Sequence, residues 1–202
     1  MKRLIGVIVI LSVVAIASAT ALAPKATNTL TTIDSVPTRQ QIDEAFSDSS
    51  QTPLQNLASL ATDPQNATDV GIRLRAIHAL AKYCASTPCV DSDVAHQSLK
   101  TVIQDNAHEI TGSKVLLLRA GIETLGAMRL SSDSDFLVVQ MSLLDHPSRD
   151  IRAATARALS DICNGASAIT PLRVRYSHEL TEQVKLAISE ALRILGQCSS
   201  NP

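Results

Sequence analysis

The chain of 202 residues is close to neutral, with a formal net charge of −1, and 45% of it is hydrophobic although Trp is absent and Tyr and Phe number two each. Balanced charge excludes the coherent basic surface that nucleic acid requires. The scarcity of rings removes the stacking platforms used in sugar recognition, and the core has to be made of Leu, Ile, Val and Ala.

In chain order, the first feature is a leader. Lys2-Arg3 is a short positive region, Leu4 to Ala17 is an apolar run, and Ala17-Ser18-Ala19 has the small-x-small form accepted by signal peptidase. Residues 1–19 are therefore read as a signal peptide of bacterial style, cleaved after Ala19. Ala21-Leu22-Ala23 is a poorer second site because Pro24 would follow the cut. If the leader is instead kept, it is just long enough to anchor the chain in a membrane. Its removal takes Lys2 and Arg3 with it and brings the net charge from −1 to −3. Export places the protein in the periplasm or outside the cell.

Residues 20–36 are rich in Thr, Ala, Asn and Pro, a composition that buries too little to offset ordering entropy, so a flexible spacer is expected there. Residues 37–202 form one domain. Pro37 to Phe46 reads as a capping helix whose Ile42 and Phe46 seal the exposed end of a helical stack.

The stack itself is written as a repeated apolar ladder. Its rungs are Ile72/Ala76/Leu80/Tyr83, Leu117/Gly121/Leu125/Met128, Ile151/Thr155/Leu159/Ile162 and Val184/Ile188/Leu192/Leu195, each set spaced as one face of a helix. The leucines Leu80, Leu125, Leu159 and Leu192 are 45, 34 and 33 residues apart, in the range of two-helix solenoid units. A shorter apolar helix precedes each ladder: Leu54/Leu57/Leu60/Ala61, Ala95/Leu99/Val102/Ile103, Leu137/Met141/Leu144 and Leu172/Tyr176/Leu180. Thr52-Pro53 and Thr170-Pro171 pair an N-cap oxygen with proline at the first helical position, while Thr68, Ser113, Ser148 and Thr181 are placed to cap the second helices. No strand alternation bounded by turn residues occurs, so the expected fold is all-α, an α-α superhelix of about four antiparallel hairpins.

The third unit carries a family likeness. Leu143-Leu144-Asp145-His146-Pro147-Ser148-Arg149-Asp150-Ile151-Arg152, followed by Ala153-Ala154 and Ala158-Leu159, resembles the HEAT-repeat family. Ile72-Arg73 with Ala79-Leu80, and Val184-Lys185 with Ala191-Leu192, echo it, whereas unit two departs with Leu118 at the basic position. The likeness spans roughly Pro53 to Gln197. It implies a right-handed superhelix with the second helices lining its concave side, and a role in protein binding.

Four cysteines in an exported chain imply two disulfides. Repeat register suggests Cys84 with Cys89, across a short loop, and Cys163 with Cys198, on neighbouring second helices. The set lacks the paired spacing of a zinc site, and no metal is expected. His108-Glu109 and His178-Glu179 invite comparison with deoxyhypusine hydroxylase, a HEAT-like family that holds iron with His-Glu pairs. Its ligand positions correspond here to Leu74-Arg75, Arg119-Ala120, Ala153-Ala154 and Leu186-Ala187, which offer neither imidazole nor carboxylate. Both pairs are read as ordinary polar residues at helix ends. The chain has no glycine-rich phosphate loop, nucleophile elbow or paired CxxC, so no catalytic residue, cofactor or small-molecule substrate is assigned.

His78, two residues before Leu80, has Glu123, Arg157 and Glu190 as its equivalents. They form a polar row along the expected concave side, either a solvated face of paired neighbours or a recognition strip. The sequence is best read as a non-enzymatic, exported scaffold that binds an unidentified protein, the alternative being an accessory or regulatory subunit of an envelope enzyme.

Overall fold

A computed structural model describes residues 24–31, 35–63, 68–85, 92–128, 141–162 and 166–198. The leader, Cys89, Leu137 and Cys163 lie outside the described residues. Those described are helical with connecting turns, and no strand occurs among them. The helices are α1 (Pro24–Thr31), α2 (Arg39–Ala45), α3 (Pro53–Thr62), α4 (Val70–Ala85), α5 (Ser92–Asn106), α6 (Gly112–Ala127), α7 (Arg149–Asp161), α8 (Ala166–His178) and α9 (Glu182–Cys198), with a 3-10 turn at Leu143–Asp145 before α7.

The ladder positions explain the packing. α4 packs on α6, α6 on α7 and α7 on α9, while α3 lies against α4 and α5, α5 against α6, and α8 against α9. Ala76, Leu80, Ile151, Thr155, Leu159, Val184 and Ile188 are fully buried, and Leu117 and Leu125 nearly so. Leu192, at the end of the series, is only half-buried. Helix α7 is enclosed on both sides: Ile151, Ala154 and Ala158 join the larger core, while Ala153, Ala156 and Leu159 join a second one with α8 and α9. Its alanines are what permit this. At the α6–α7 crossing a Cβ on Gly126 would stand 2.7 Å from the Cα and 2.8 Å from the Cβ of Ala158, so the two backbones meet with no room for a methyl group.

Several local expectations are corrected. The spacer at 20–36 contains α1, whose Ala26 and Leu30, four residues apart on one face, are buried in the main core. α1 packs on α2 and α4. Burial against α4 supplies what the segment's composition alone lacks. The capping helix begins at Thr38, whose side chain accepts from the Gln41 N–H in a capping box, and Ile42 and Phe46 are buried as expected. Thr52 and Gln55 form the same box ahead of Pro53. Pro171, by contrast, lies inside α8, which starts five residues earlier. Caps also shift by one or two residues, for Asp69 Oδ1 accepts from the Gly71 N–H at 2.8 Å, and Thr111 rather than Ser113 precedes α6.

Candidate functional site

The polar row is built from second helices. His78 is half-buried on α4 and its Nδ1 lies 3.3 Å from the Thr124 hydroxyl of α6, beside Glu123. Burial pushes the His78 imidazole below its ordinary value, with Glu123 opposing and Arg75 reinforcing the shift. Glu123 receives the Arg119 Nε–H at 2.8 Å, and Glu190 is gripped by Arg193 at 2.6 and 2.8 Å, a contact that lowers its carboxyl. Arg157 is exposed and makes no ion pair among the described residues. The structure thus brings His78 and Glu123 together. The charges pair along their own helices at i,i+3 and i,i+4, not across the rungs, and Arg157 and Glu190 are left facing water.

Neither of the described cysteines, Cys84 and Cys198, is a free thiol. Among the described residues no group of three or more His, Cys, Asp and Glu is arranged to hold a metal ion. No described helix is long and apolar enough to cross a membrane.

A second polar cluster was not anticipated. Glu179, expected to be an ordinary helix-end residue, is 2% exposed. Its carboxylate accepts from Arg152 Nε at 2.8 Å and Nη2 at 3.0 Å, from Arg175 Nε at 3.1 Å and Nη2 at 2.8 Å, and from the backbone N–H groups of Leu180 and Thr181 at 3.1 and 2.9 Å. The Arg152 guanidinium, together with these other donors, holds the carboxyl far below the ordinary carboxylate range despite burial. Arg152 also donates to the carbonyls of His146 and Pro147, both at 2.9 Å. Arg73, at the same register in α4, donates likewise to the carbonyls of Ala61 and Thr62. A basic residue one step into the ladder therefore closes the turn of its own hairpin, and in unit three it also clamps the next.

The signal for this cluster was in the chain. His108-Glu109-Ile110-Thr111 and His178-Glu179-Leu180-Thr181 repeat one pattern immediately before α6 and α9. Only the second glutamate has a buried arginine to meet, since Glu109 pairs with Lys114 at 2.6 Å with its side chain 39% exposed. His146, next to the cluster, is 5% exposed. Its Nδ1 accepts from the Ser148 N–H at 3.0 Å and its buried Nε2 reaches no hydrogen-bond partner among the described residues. Burial lowers its affinity for a proton, the neighbouring backbone of Glu109 and Ser148 opposes this, and the charge of Arg152 adds to it.

The fourth unit also departs from the expected stripe of Leu172, Tyr176 and Leu180. Leu172 is buried, but Tyr176, near the C-terminal end of α8, is 42% exposed and Leu180, beyond that end, 94%. Between α8 and the 3-10 turn lies a groove of about 290 Å³, lined by Met141, Leu144, Asp145, Pro171, Val174 and Arg175 among others.

No family model matches the chain, and neither curated proteins nor solved structures provide a match.

Proposed function

We propose that this chain is an exported, non-enzymatic HEAT-like α-solenoid that presents a surface to a protein partner in the cell envelope or outside the cell. The observation that supports this best is the serial packing of α4, α6, α7 and α9, in which the ladders are largely consumed by neighbouring helices while His78 and Glu123 stay half-buried and Arg157 and Glu190 exposed. A stack of this kind holds a row of side chains at fixed intervals without a deep pocket, which suits recognition of an extended partner. In this reading His78, Glu123, Arg157 and Glu190 form the recognition strip, with Arg157 and Glu190 its most accessible members. Pairing of Cys84 with Cys89 and Cys163 with Cys198 would fix the ends of the second helices, and non-reducing peptide mapping of exported protein tests it.

Site-specific photocrosslinking tests the function. A photoreactive residue at Arg157 or Glu190, in the chain expressed with its leader, should give an adduct with an envelope protein. The same residue at Gln97 or Asp105, exposed on α5 in the other helix layer, should give none. Adducts confined to the α5 positions would overturn the strip, and absence of adducts from every exposed position would overturn the scaffold reading.

A further inference from the structure

The two ends of the stack are finished differently. On α7 the residues six and three before Leu159 and one after it are Ala153, Ala156 and Ser160, all buried, and the two alanines join the core shared with α8 and α9. At the same register on α6 Ile122 and Gly126 are buried, Gly126 against the Ala158 backbone of α7, although Arg119 stays exposed. This is the face that each second helix turns to the next. On α9 it consists of Leu186, Ser189 and Arg193. Leu186 is 64% exposed, Ser189 and Arg193 are exposed, and the adjoining Leu192 is only half-buried where Leu80, Leu125 and Leu159 are enclosed. The opposite end is closed by Ala26 and Leu30 of α1 and by Ile42 and Ala45 of α2. A terminal solenoid unit ordinarily turns a polar surface outward, so an uncovered Leu186 at the stacking register marks a place for one more helix.

The charges on this face say which helix fits. Glu182, Leu186, Ser189 and Arg193 follow one another at intervals of four, three and four residues and so form one seam along α9. The seam is self-complementary. Laid antiparallel on a copy of itself, about a two-fold axis between Ala187 and Ile188, it sets Glu182 opposite Arg193 twice and Leu186 opposite Ser189 twice, with the two leucines nearest the axis. Glu182 is exposed and makes no ion pair among the described residues. Arg193 holds Glu190 of its own helix through Nε and Nη2, both side chains being 54% exposed, and its Nη1 makes no hydrogen bond among the described residues. It can therefore receive a second carboxylate without releasing the first. With Lys185 flanking the seam, Glu182, Lys185, Glu190 and Arg193 sum to zero, and two copies approach without net repulsion.

We infer that the exposed face of α9 is a self-association surface, through which two copies of this chain form a two-fold dimer with antiparallel α9 helices, Leu186 at its centre and Glu182 of each protomer against Arg193 of the other. A contact one helix wide is at the small end of specific interfaces, so the dimer is weak and concentration-dependent. The inference stands apart from the partner-binding reading, since its central residues lie outside the strip.

The test is sedimentation velocity on the mature chain from about 1 μM to about 1 mM. The sedimentation coefficient should climb from the monomer to the dimer value over this range. Leu186→Glu should weaken association at least tenfold while the melting temperature of the dilute, monomeric protein stays unchanged. Glu182→Arg and Arg193→Glu should each lose the dimer, because each sets like charges opposite one another, and an equimolar mixture of the two should regain it, because both contacts are then complementary again. A monomer at every concentration would overturn the proposal and leave this face to a different protein. A dimer untouched by Leu186→Glu, or a mixture that associates no better than its two components, would overturn it as well.

Discussion

Replacing Glu179 by Gln keeps the shape of the side chain and removes its charge at the most enclosed ionic position described. The carboxylate, 1% exposed, accepts from two arginines and two backbone N–H groups, and the Arg152 side chain is itself only 10% exposed. An amide presents one oxygen where the carboxylate has two, and points an NH2 group at a guanidinium. Leaving a buried guanidinium without its counter-charge costs about 3–5 kcal/mol, of which Arg152 recovers part through the carbonyls of His146 and Pro147. The expected loss is therefore about 3 kcal/mol, or roughly 6–12 °C in melting temperature for a domain of this size. Asp145→Asn should cost only about 0.5 kcal/mol or less, since that carboxylate is largely in water. Combining Glu179→Leu with Arg152→Met should be milder than Glu179→Leu alone, because both charges then leave the interior together. Urea denaturation of the set is the assay. Acidification adds a check of sign: the folded-state carboxyl lies below its ordinary value of 4.5, so the contribution is present above that pH and is lost as pH falls beneath it. A Glu179→Gln variant within 0.5 kcal/mol of the parent, taking about 0.5 kcal/mol as the scale of surface substitutions, or an equal loss from Asp145→Asn, would refute the reasoning.

Gly126→Ala should destabilise by about 1–3 kcal/mol despite the better helix propensity of alanine, since its methyl meets the Ala158 backbone; Gly196→Ala, with nothing within 4 Å, should be neutral or stabilising, and thermal melts of the pair decide it. Thr155→Val should raise the melting temperature, because the rung is fully buried and its hydroxyl lacks a hydrogen-bond partner among the described residues. His146 is depressed below its ordinary 6.5, so stability should fall as pH drops through that value toward the folded-state one. Urea melts at neutral and mildly acidic pH should show a larger fall for the parent than for His146→Gln.

The ladders were legible because they obey one constraint, an apolar face repeated at helical spacing, and a buried face of this kind tolerates little else. Leu80, Leu125 and Leu159 are buried on this logic. The failures lie where a local signal competes with tertiary packing. Thr170-Pro171 has the form of a helix start, yet α8 runs through it. Residues 24–31 look too polar to order, yet two apolar residues four apart suffice once α4 is there to receive them. Glu179 departs from expectation for a related reason: a helix-end glutamate is ordinarily solvated, and the arginine that buries it lies 27 residues earlier. In the polar row, spacing identified positions, but side chains of this length choose partners on their own helix, as Arg119 and Arg193 do.

The most direct test of the account sets ladder against strip. Thermal melting and the yield of envelope partner co-purified with the chain are measured on Leu80→Ala, Leu125→Ala and Leu159→Ala, and on His78→Ala, Glu123→Ala, Arg157→Ala and Glu190→Ala. The leucine variants should each lose about 2–5 kcal/mol of stability, the exposed Arg157 and Glu190 variants no more than about 0.5 kcal/mol, and the four polar changes combined should abolish co-purification of the partner while the protein remains folded. Polar variants that melt as early as the leucine ones, or a folded fourfold variant that still captures its partner in full, would contradict it.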